Sequence, residues 1–277
     1  MADLSSSDIT FIAQFLLARS GLVVTQDKSY LLESRLTPLA RRRGINGAAG
    51  VIDKLRKGGD AVLERDVVEA MTTNESFFFR DQKPFDHFKS VVLPHLQKSR
   101  AARRTIRIWC AAASTGQEPY SLAMILDEAA PSLAGWRIEI IGTDISREVL
   151  DRARQGVYSQ FEVQRGLPIT HLVKYFKKDG ENWLIDPKLR AMVQYKEWNL
   201  LQDPRPMGQF DVIFCRNVLI YFDAPTKGKV LDGMARQIAP DGFLYLGGSE
   251  TVIGVTNSFA PQTEQRGVYR PQGKVSA

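Results

Sequence analysis

The chain has 277 residues, of which 44% are apolar and 25% charged, and its formal net charge is +6. That length supports two domains, or one large one, with a real hydrophobic core, and the composition excludes a disordered chain. No apolar run approaches the roughly 18 residues that span a bilayer, and the start Met-Ala-Asp-Leu-Ser-Ser-Ser-Asp lacks a secretory signal, so a cytoplasmic location is expected.

The first hundred residues read as helices. Helical spacing of Ile9, Ile12, Phe15 and Leu16 predicts a helix over 8–20 stopped by Gly21. A second is expected over about 27–43, where Pro38 should bend or interrupt it, and shorter ones near 48–57 and 60–71. The charge is concentrated here: residues 28–57 hold eight basic against two acidic side chains, and the rest of the chain balances. Such a patch is either a solvated helix face or a surface for an acidic partner.

Residues 72–83 follow as an irregular stretch, with Asn74, Ser76 and Arg80 as candidates to face a ligand and Phe77, Phe78 and Phe79 read as core. A further helix is expected over about 84–96. The run Lys98-Ser-Arg-Ala-Ala-Arg-Arg-Thr105 is the expected junction, giving a helical domain at 1–97, a linker at 98–105 and an α/β domain at 106–277.

From Ile106 strand and helix patterns alternate, with strands expected at 106–111, 137–143, 210–215 and 243–247 and helices at 119–130, 146–155 and 225–238. A doubly wound parallel sheet is the natural solution. An insertion at about 156–200 breaks the rhythm with a hairpin closed by Asp179-Gly180.

The segment Ile108-Trp-Cys-Ala-Ala-Ala-Ser-Thr-Gly-Gln-Glu-Pro-Tyr-Ser-Leu-Ala-Met-Ile-Leu126 is the most telling. A strand runs through tiny residues into a helix, which lets a ligand approach the backbone at the carboxyl end of a sheet. It has one glycine in the turn and a carboxylate, Glu118, at the start of the helix, so it suits a phosphate chain poorly and an amine or sulfonium well. Asp144 ends the second strand and serves either ribose hydroxyls or the cap of the next helix. Arg216 and Asn217 emerge at the same edge, and Asn199 ends another strand-like run, as a ligand contact or a turn residue. Cys110 and Cys215 read as buried thiols, and His87, His95 and His171 show no metal-ligand spacing.

Four stretches in order, Thr-Asn-Glu-Ser-Phe-Phe-Phe-Arg, Ala-Ala-Ala-Ser-Thr-Gly-Gln-Glu-Pro-Tyr-Ser, Gly-Thr-Asp-Ile-Ser and Phe-Asp-Val-Ile-Phe-Cys-Arg-Asn-Val-Leu-Ile-Tyr-Phe, resemble the CheR family of chemotaxis receptor methyltransferases over nearly the whole chain. The resemblance implies a Rossmann-like class I methyltransferase domain with a small antiparallel β insertion, preceded by an all-α domain. It implies S-adenosylmethionine as cofactor, S-adenosylhomocysteine as product, and glutamate side chains of a chemoreceptor's cytoplasmic helical bundle as substrate. By the same resemblance, cofactor contacts fall at Asn74, Ser76, Arg80, Glu118, Asp144, Asn199, Leu200, Arg216 and Asn217, with Glu118 at the methionine end and Asp144 at the ribose. Ser76 stands where the family usually has Thr, and Gln117 where a second Glu is common.

Arg80 and Tyr221 are the expected catalytic positions, Arg80 to hold a carboxylate and Tyr221 to orient the incoming one. Arg35, Arg41, Arg42 and Arg43 are expected to steer acidic substrate helices. The insertion resembles the family's β-subdomain, which in some members grips a receptor tail by strand addition; its connecting loop here is short. A monomer without metal, nucleic acid or membrane insertion, recruited to receptor arrays, is expected. A nucleic-acid methyltransferase would share the fold, but no Asn-Pro-Pro-Tyr-like motif occurs and the charge lies on the helical part. A nicotinamide dehydrogenase would need the glycine fingerprint, and a non-catalytic S-adenosylmethionine-sensing module is the remaining alternative.

Overall fold

The computed structural model describes residues 4–263 and 265–273. The chain forms two compact units, one of residues 1–73 with 221–226, the other of residues 74–220 with 227–277.

The first unit is all helical. Its helices are α1 (Ser6–Ser20), α2 (Ser29–Arg42), α3 (Gly47–Lys57) and α4 (Ala61–Met71). Ser5 and Asp8 form a capping box at the start of α1, and Gly21 closes it in the left-handed conformation that glycine adopts without strain. Ile12, Leu16, Leu32, Leu36, Leu39, Val51, Ile52, Leu63 and Val67 meet in the core. Of the two expected effects of Pro38, to bend or to interrupt, the interruption does not occur: α2 continues through it. Pro38 and Ser34 both lie on the exposed face, so the carbonyl that proline leaves without a donor can be met by water.

The second unit begins earlier than the expected linker at 98–105. A continuous helical run of α5 (Lys83–His87), a π-helical turn (Phe88–Val92) and α6 (Leu93–Ser99) delivers Phe85, Phe88, Val92, Leu93 and Leu96 into the same core as the sheet. The charged run after it is also tied down: Arg100 bonds Asp211 through Nε at 2.7 Å and Asp241 through its terminal nitrogens, with Asp211 1% exposed. Such contacts make 98–105 part of the unit rather than a tether.

Strands β1 (Thr105–Ala111) and β2 (Arg137–Asp144) flank helix α7 (Gln117–Glu128), and α8 (Arg147–Gln155) follows. The insertion comprises β3 (Val157–Ser159), α9 (Gln160–Gln164), α10 (Ile169–Tyr175), β4 (Phe176–Asp179), β5 (Asn182–Ile185) and α11 (Pro187–Ala191). The chain then runs through β6 (Val193–Glu197), β7 (Phe210–Cys215), α12 (Ala224–Ala235), β8 (Ile238–Leu246), β9 (Phe259–Pro261) and β10 (Val268–Pro271). The seven-stranded sheet has the order β6-β2-β1-β7-β8-β10-β9, parallel from β6 to β8, with β10 and β9 added antiparallel. The insertion's sheet is β3-β5-β4 and antiparallel. Asp179 pairs with Asn182, so the hairpin turns on Gly180 and Glu181, one residue beyond the expected Asp179-Gly180. Gly180 takes the positive φ of 59° such a turn requires.

Register aligns the strand ends. Ala111 lies beside Thr143 and Cys215, Asp144 beside Glu197, and Cys215 beside Leu246. The loops carrying the candidate residues therefore leave one carboxyl edge, and β1 lies where the order reverses between β2 and β7, the place where open α/β sheets bind ligands.

Candidate active site

The turn after β1 is built under strain. Ala112 and Ser114 hold φ of 68° and 50°, each worth roughly 1–3 kcal/mol for a residue with a Cβ, and Gly116 holds 94°. A Cβ at Gly116 would stand 2.6 Å from the Tyr195 hydroxyl, so glycine is required there. Buried tyrosines support the turn: Tyr158 donates to the Thr115 carbonyl at 2.8 Å, and Tyr120 to the Ala153 carbonyl at 2.7 Å. Of the seven non-glycine residues with positive φ among those described, six lie at 79–82, 112–114 and 217, next to candidate residues.

Asp144 accepts from the backbone N–H of Ser114 at 2.9 Å and of Ser146 at 3.0 Å, so it joins the β1 turn to the start of α8. Trp198 N–H donates to the Asp144 carbonyl at 2.8 Å, bringing the 198–200 loop alongside, and the Asn199 side-chain oxygen accepts from Leu201 N–H at 3.0 Å. The turn reading of Asn199 is thus realised, whereas Asp144 does not cap α8, whose N-cap is Ser146, but ties the β1 turn to the residue that does. Leu200 lines a cavity of about 280 Å³ with Trp109, Trp198 and Met234.

The 74–82 loop is fixed to the same edge. Ser114 Oγ donates to the Asn74 carbonyl at 2.7 Å, and Phe79 N–H donates to Ser121 Oγ on α7 at 3.0 Å. Phe78 and Phe79 are core, as expected, while Phe77 is half-buried beneath two guanidinium groups, those of Arg80 at 5.3 Å and Arg165 at 4.4 Å. Arg80 also donates to the Glu75 carbonyl at 3.0 Å, and Arg165 from the insertion pairs with Glu75 at 2.6 Å. Ser76 is half-buried in this loop.

At the centre stands Arg216, whose side chain is 2% exposed. It reaches Glu118 at 3.1 Å, Asp81 at 2.5 Å and the Arg80 carbonyl at 2.9 Å. Burial pushes the Glu118 carboxyl above its ordinary value, and the nearby Arg216 charge opposes the rise. Arg216 Nε is buried without a hydrogen-bond partner among the described residues. A spare buried donor, a carboxylate one bond away, a second carboxylate at Asp144 and a turn whose room is set by Gly116 form a donor set fitted to a ligand with carboxylate, cationic and hydroxyl groups.

The geometry leaves these groups as one constellation, and comparison with known proteins says to whom it belongs. Residues 74–268 match the CheR methyltransferase, SAM binding domain, and residues 7–72 the CheR methyltransferase, all-alpha domain. The chain belongs to the CheR methyltransferase family. As a member it is an S-adenosylmethionine-dependent methyltransferase. It is similar to Chemotaxis protein methyltransferase 1 of Pseudomonas aeruginosa, 39% identical over 261 residues that cover 92% of this chain and 94% of that protein. Chemotaxis protein methyltransferase Cher2 of Pseudomonas putida is 36% identical, covering 88% and 90%, and Chemotaxis protein methyltransferase 1 of Vibrio cholerae is 36% identical, covering 92% and 93%.

Other expected positions lie in the helical unit. Tyr221 is half-buried, and its carbonyl accepts from Val23 N–H at 2.9 Å. Arg35 is spent on the carbonyls at the end of α4, 2.6 Å from Met71 and 2.8 Å from Thr72, and Arg43 on Asp66. Arg41 and Arg42 are exposed. Sequence reasoning missed Ser114, Asp81 and Glu250. The first two follow motif positions closely enough to have been suspected; Glu250 carried no local signal. No helix among the described residues is long and apolar enough to cross a membrane.

Proposed function

We propose that this methyltransferase esterifies glutamate side chains on the cytoplasmic helices of a chemoreceptor, in the cytoplasm, as a monomer. The observation that carries the reading is the buried Glu118–Arg216 pair at the sheet's carboxyl edge, 3.1 Å apart, in a turn that lacks a phosphate-binding glycine pattern. The names of the similar proteins support the chemotaxis setting.

In this reading Glu118 faces the cationic methionine end of the cofactor, Arg216 its carboxylate, Asp144 the ribose, and Asn74, Ser76, Asn199, Leu200 and Asn217 complete the pocket. When bound, S-adenosylmethionine supplies a methyl group on a sulfonium. A substrate glutamate ionises well below neutral pH, so it is already a carboxylate there and needs no general base, which accounts for a site without a catalytic His or Cys. The chain's work is placement and exclusion of water while two opposite charges cancel. Arg80 holds the incoming carboxylate, its guanidinium placed by the Phe77 ring and the Glu75 carbonyl. Tyr221 orients that carboxylate, and Arg41 and Arg42 attract acidic receptor helices.

The test is incubation with methyl-labelled cofactor and either receptor fragments or RNA, followed by mild base. Label on the receptor fragment that is released as methanol supports carboxyl esterification. Label confined to RNA, or tight cofactor binding without transfer to either, rejects it.

A further inference from the structure

The loop Arg216–Ile220 follows the carboxyl end of β7 and leads directly to Tyr221, so its backbone sets where the proposed cofactor contacts stand. Its amides have no strand partner of their own. Glu250, 8% exposed and in the turn after β8, supplies one carboxylate to three of them and to Gly247: Oε2 accepts from Asn217 N–H at 2.8 Å and Gly247 N–H at 2.6 Å, and Oε1 from Val218 N–H at 2.9 Å and Ile220 N–H at 3.2 Å. Among the described residues no lysine or arginine pairs with Glu250, so backbone donors alone satisfy its charge.

Two further observations show that the carboxylate fixes a conformation rather than merely filling space. Asn217 stands at φ 59°, a left-handed conformation that asparagine tolerates better than other residues with a Cβ, and the bond from its amide to Glu250 holds it there. The β8 end approaches so closely that a Cβ at Gly247 would stand 2.6 Å from Asn217 Nδ2, 2.7 Å from Glu250 Oε2 and 2.9 Å from the Asn217 amide nitrogen. Arg216 anchors the start of the loop to α7 through Glu118, and Glu250 anchors its remainder to β8.

We infer that Glu250 is a positioning residue for methyl transfer: by binding the amides of Asn217, Val218, Ile220 and Gly247 it holds Asn217 in the cofactor pocket. The inference rests on the assignment of Asn217 to that pocket. It acts through the loop, without touching the reacting atoms.

The test uses the full chain and three variants, Glu250→Gln, Gly247→Ala and Asn217→Ala, with S-adenosylhomocysteine affinity measured by calorimetry at a temperature where circular dichroism shows each folded. Glu250→Gln keeps the volume but turns two acceptor positions into donors, so affinity should fall by about tenfold, the effect of losing one charge-assisted hydrogen bond. Gly247→Ala keeps the carboxylate and crowds the loop, and should cause a similar loss even if Glu250→Gln fails to fold. Amide hydrogen exchange at Asn217, Val218 and Ile220 should accelerate in Glu250→Gln while that in β1 does not, a pattern that general destabilisation would not give. Unchanged affinity in Glu250→Gln or Gly247→Ala, alongside weakened Asn217→Ala, overturns the role of Glu250 and leaves the pocket assignment standing. Unchanged affinity in Asn217→Ala overturns the pocket assignment at that residue, and the inference with it.

Discussion

Arg216 holds Glu118 at 3.1 Å in a setting where the guanidinium is almost wholly buried, yet burial still keeps the Glu118 carboxyl harder to ionise than a free glutamate. The sign follows directly. A carboxyl raised above its ordinary 4.5 contributes stability that is fully present below that value and is lost as pH rises through the raised one. Cofactor binding has the opposite sense, because the cationic methionine end prefers the carboxylate. Affinity for S-adenosylmethionine should therefore increase as pH rises above 4.5 and level off once Glu118 is ionised. Calorimetric titration across that range should show the rise in the wild type and a flat, weaker profile in Glu118→Gln.

Arg80→Ala should lower the rate of receptor methylation by about 100-fold, since it removes the charge that positions the carboxylate accepting the methyl group. Tyr221→Phe should cost less, about tenfold, being the loss of one hydroxyl. Rate measurements under saturating cofactor decide both. Wild-type rates would remove Arg80 and Tyr221 from the mechanism.

Arg41→Glu combined with Arg42→Glu should weaken receptor methylation most at low salt while leaving cofactor affinity intact, because both side chains are exposed and make their contribution at long range. Arg43→Glu should behave differently. It breaks the contact with Asp66, made through Nε at 2.9 Å, so a lowered melting temperature is expected in addition to any loss of methylation. A salt series of methylation rates, with melting curves beside it, separates the two.

Arg100→Ala should destabilise the second unit by about 1.5–3 kcal/mol, because it removes one of the two guanidinium partners of the buried Asp211, Arg103 remaining, together with the bonds to Asp241. Denaturant titration measures this. Asp241 is held well below the ordinary carboxylate range, first by its hydrogen bonds from Arg100, so its contribution is present above the ordinary value of 3.8 and is lost as pH falls toward the depressed one. The variant should lose that acid-side dependence.

Much of this was legible from local pattern. The run from Ile106 into α7 announced a strand, a tight turn and a helix, and Asp144 stood where a strand ended, so the carboxyl edge could be assembled on paper. What escaped depended on distance in the chain or on backbone strain. Phe85 and Phe88 read as an amphipathic helix of the first domain, and only the sheet's core shows that they belong to the second unit. Strands β9 and β10 are too short for a periodicity to declare them. The left-handed backbone of Ala112 and Ser114 violates the preferences of those residues, and Asn217 is held in the same region by Glu250, whose partners at Asn217 and Val218 lie 33 and 32 residues away. The contacts that Arg35 makes with the carbonyls at the end of α4, and Arg43 with Asp66, were not legible, because charge is visible in sequence and its pairing is not.

Peptide mapping by mass spectrometry of a receptor cytoplasmic fragment, after reaction with methyl-labelled S-adenosylmethionine and this enzyme, tests the central claim most directly. The account predicts methyl groups on glutamate side chains of the receptor helices, lost on mild base treatment and absent when Glu118→Gln replaces the wild type at limiting cofactor. Methyl groups on lysine, arginine or a terminal amine, stable to base, would contradict it.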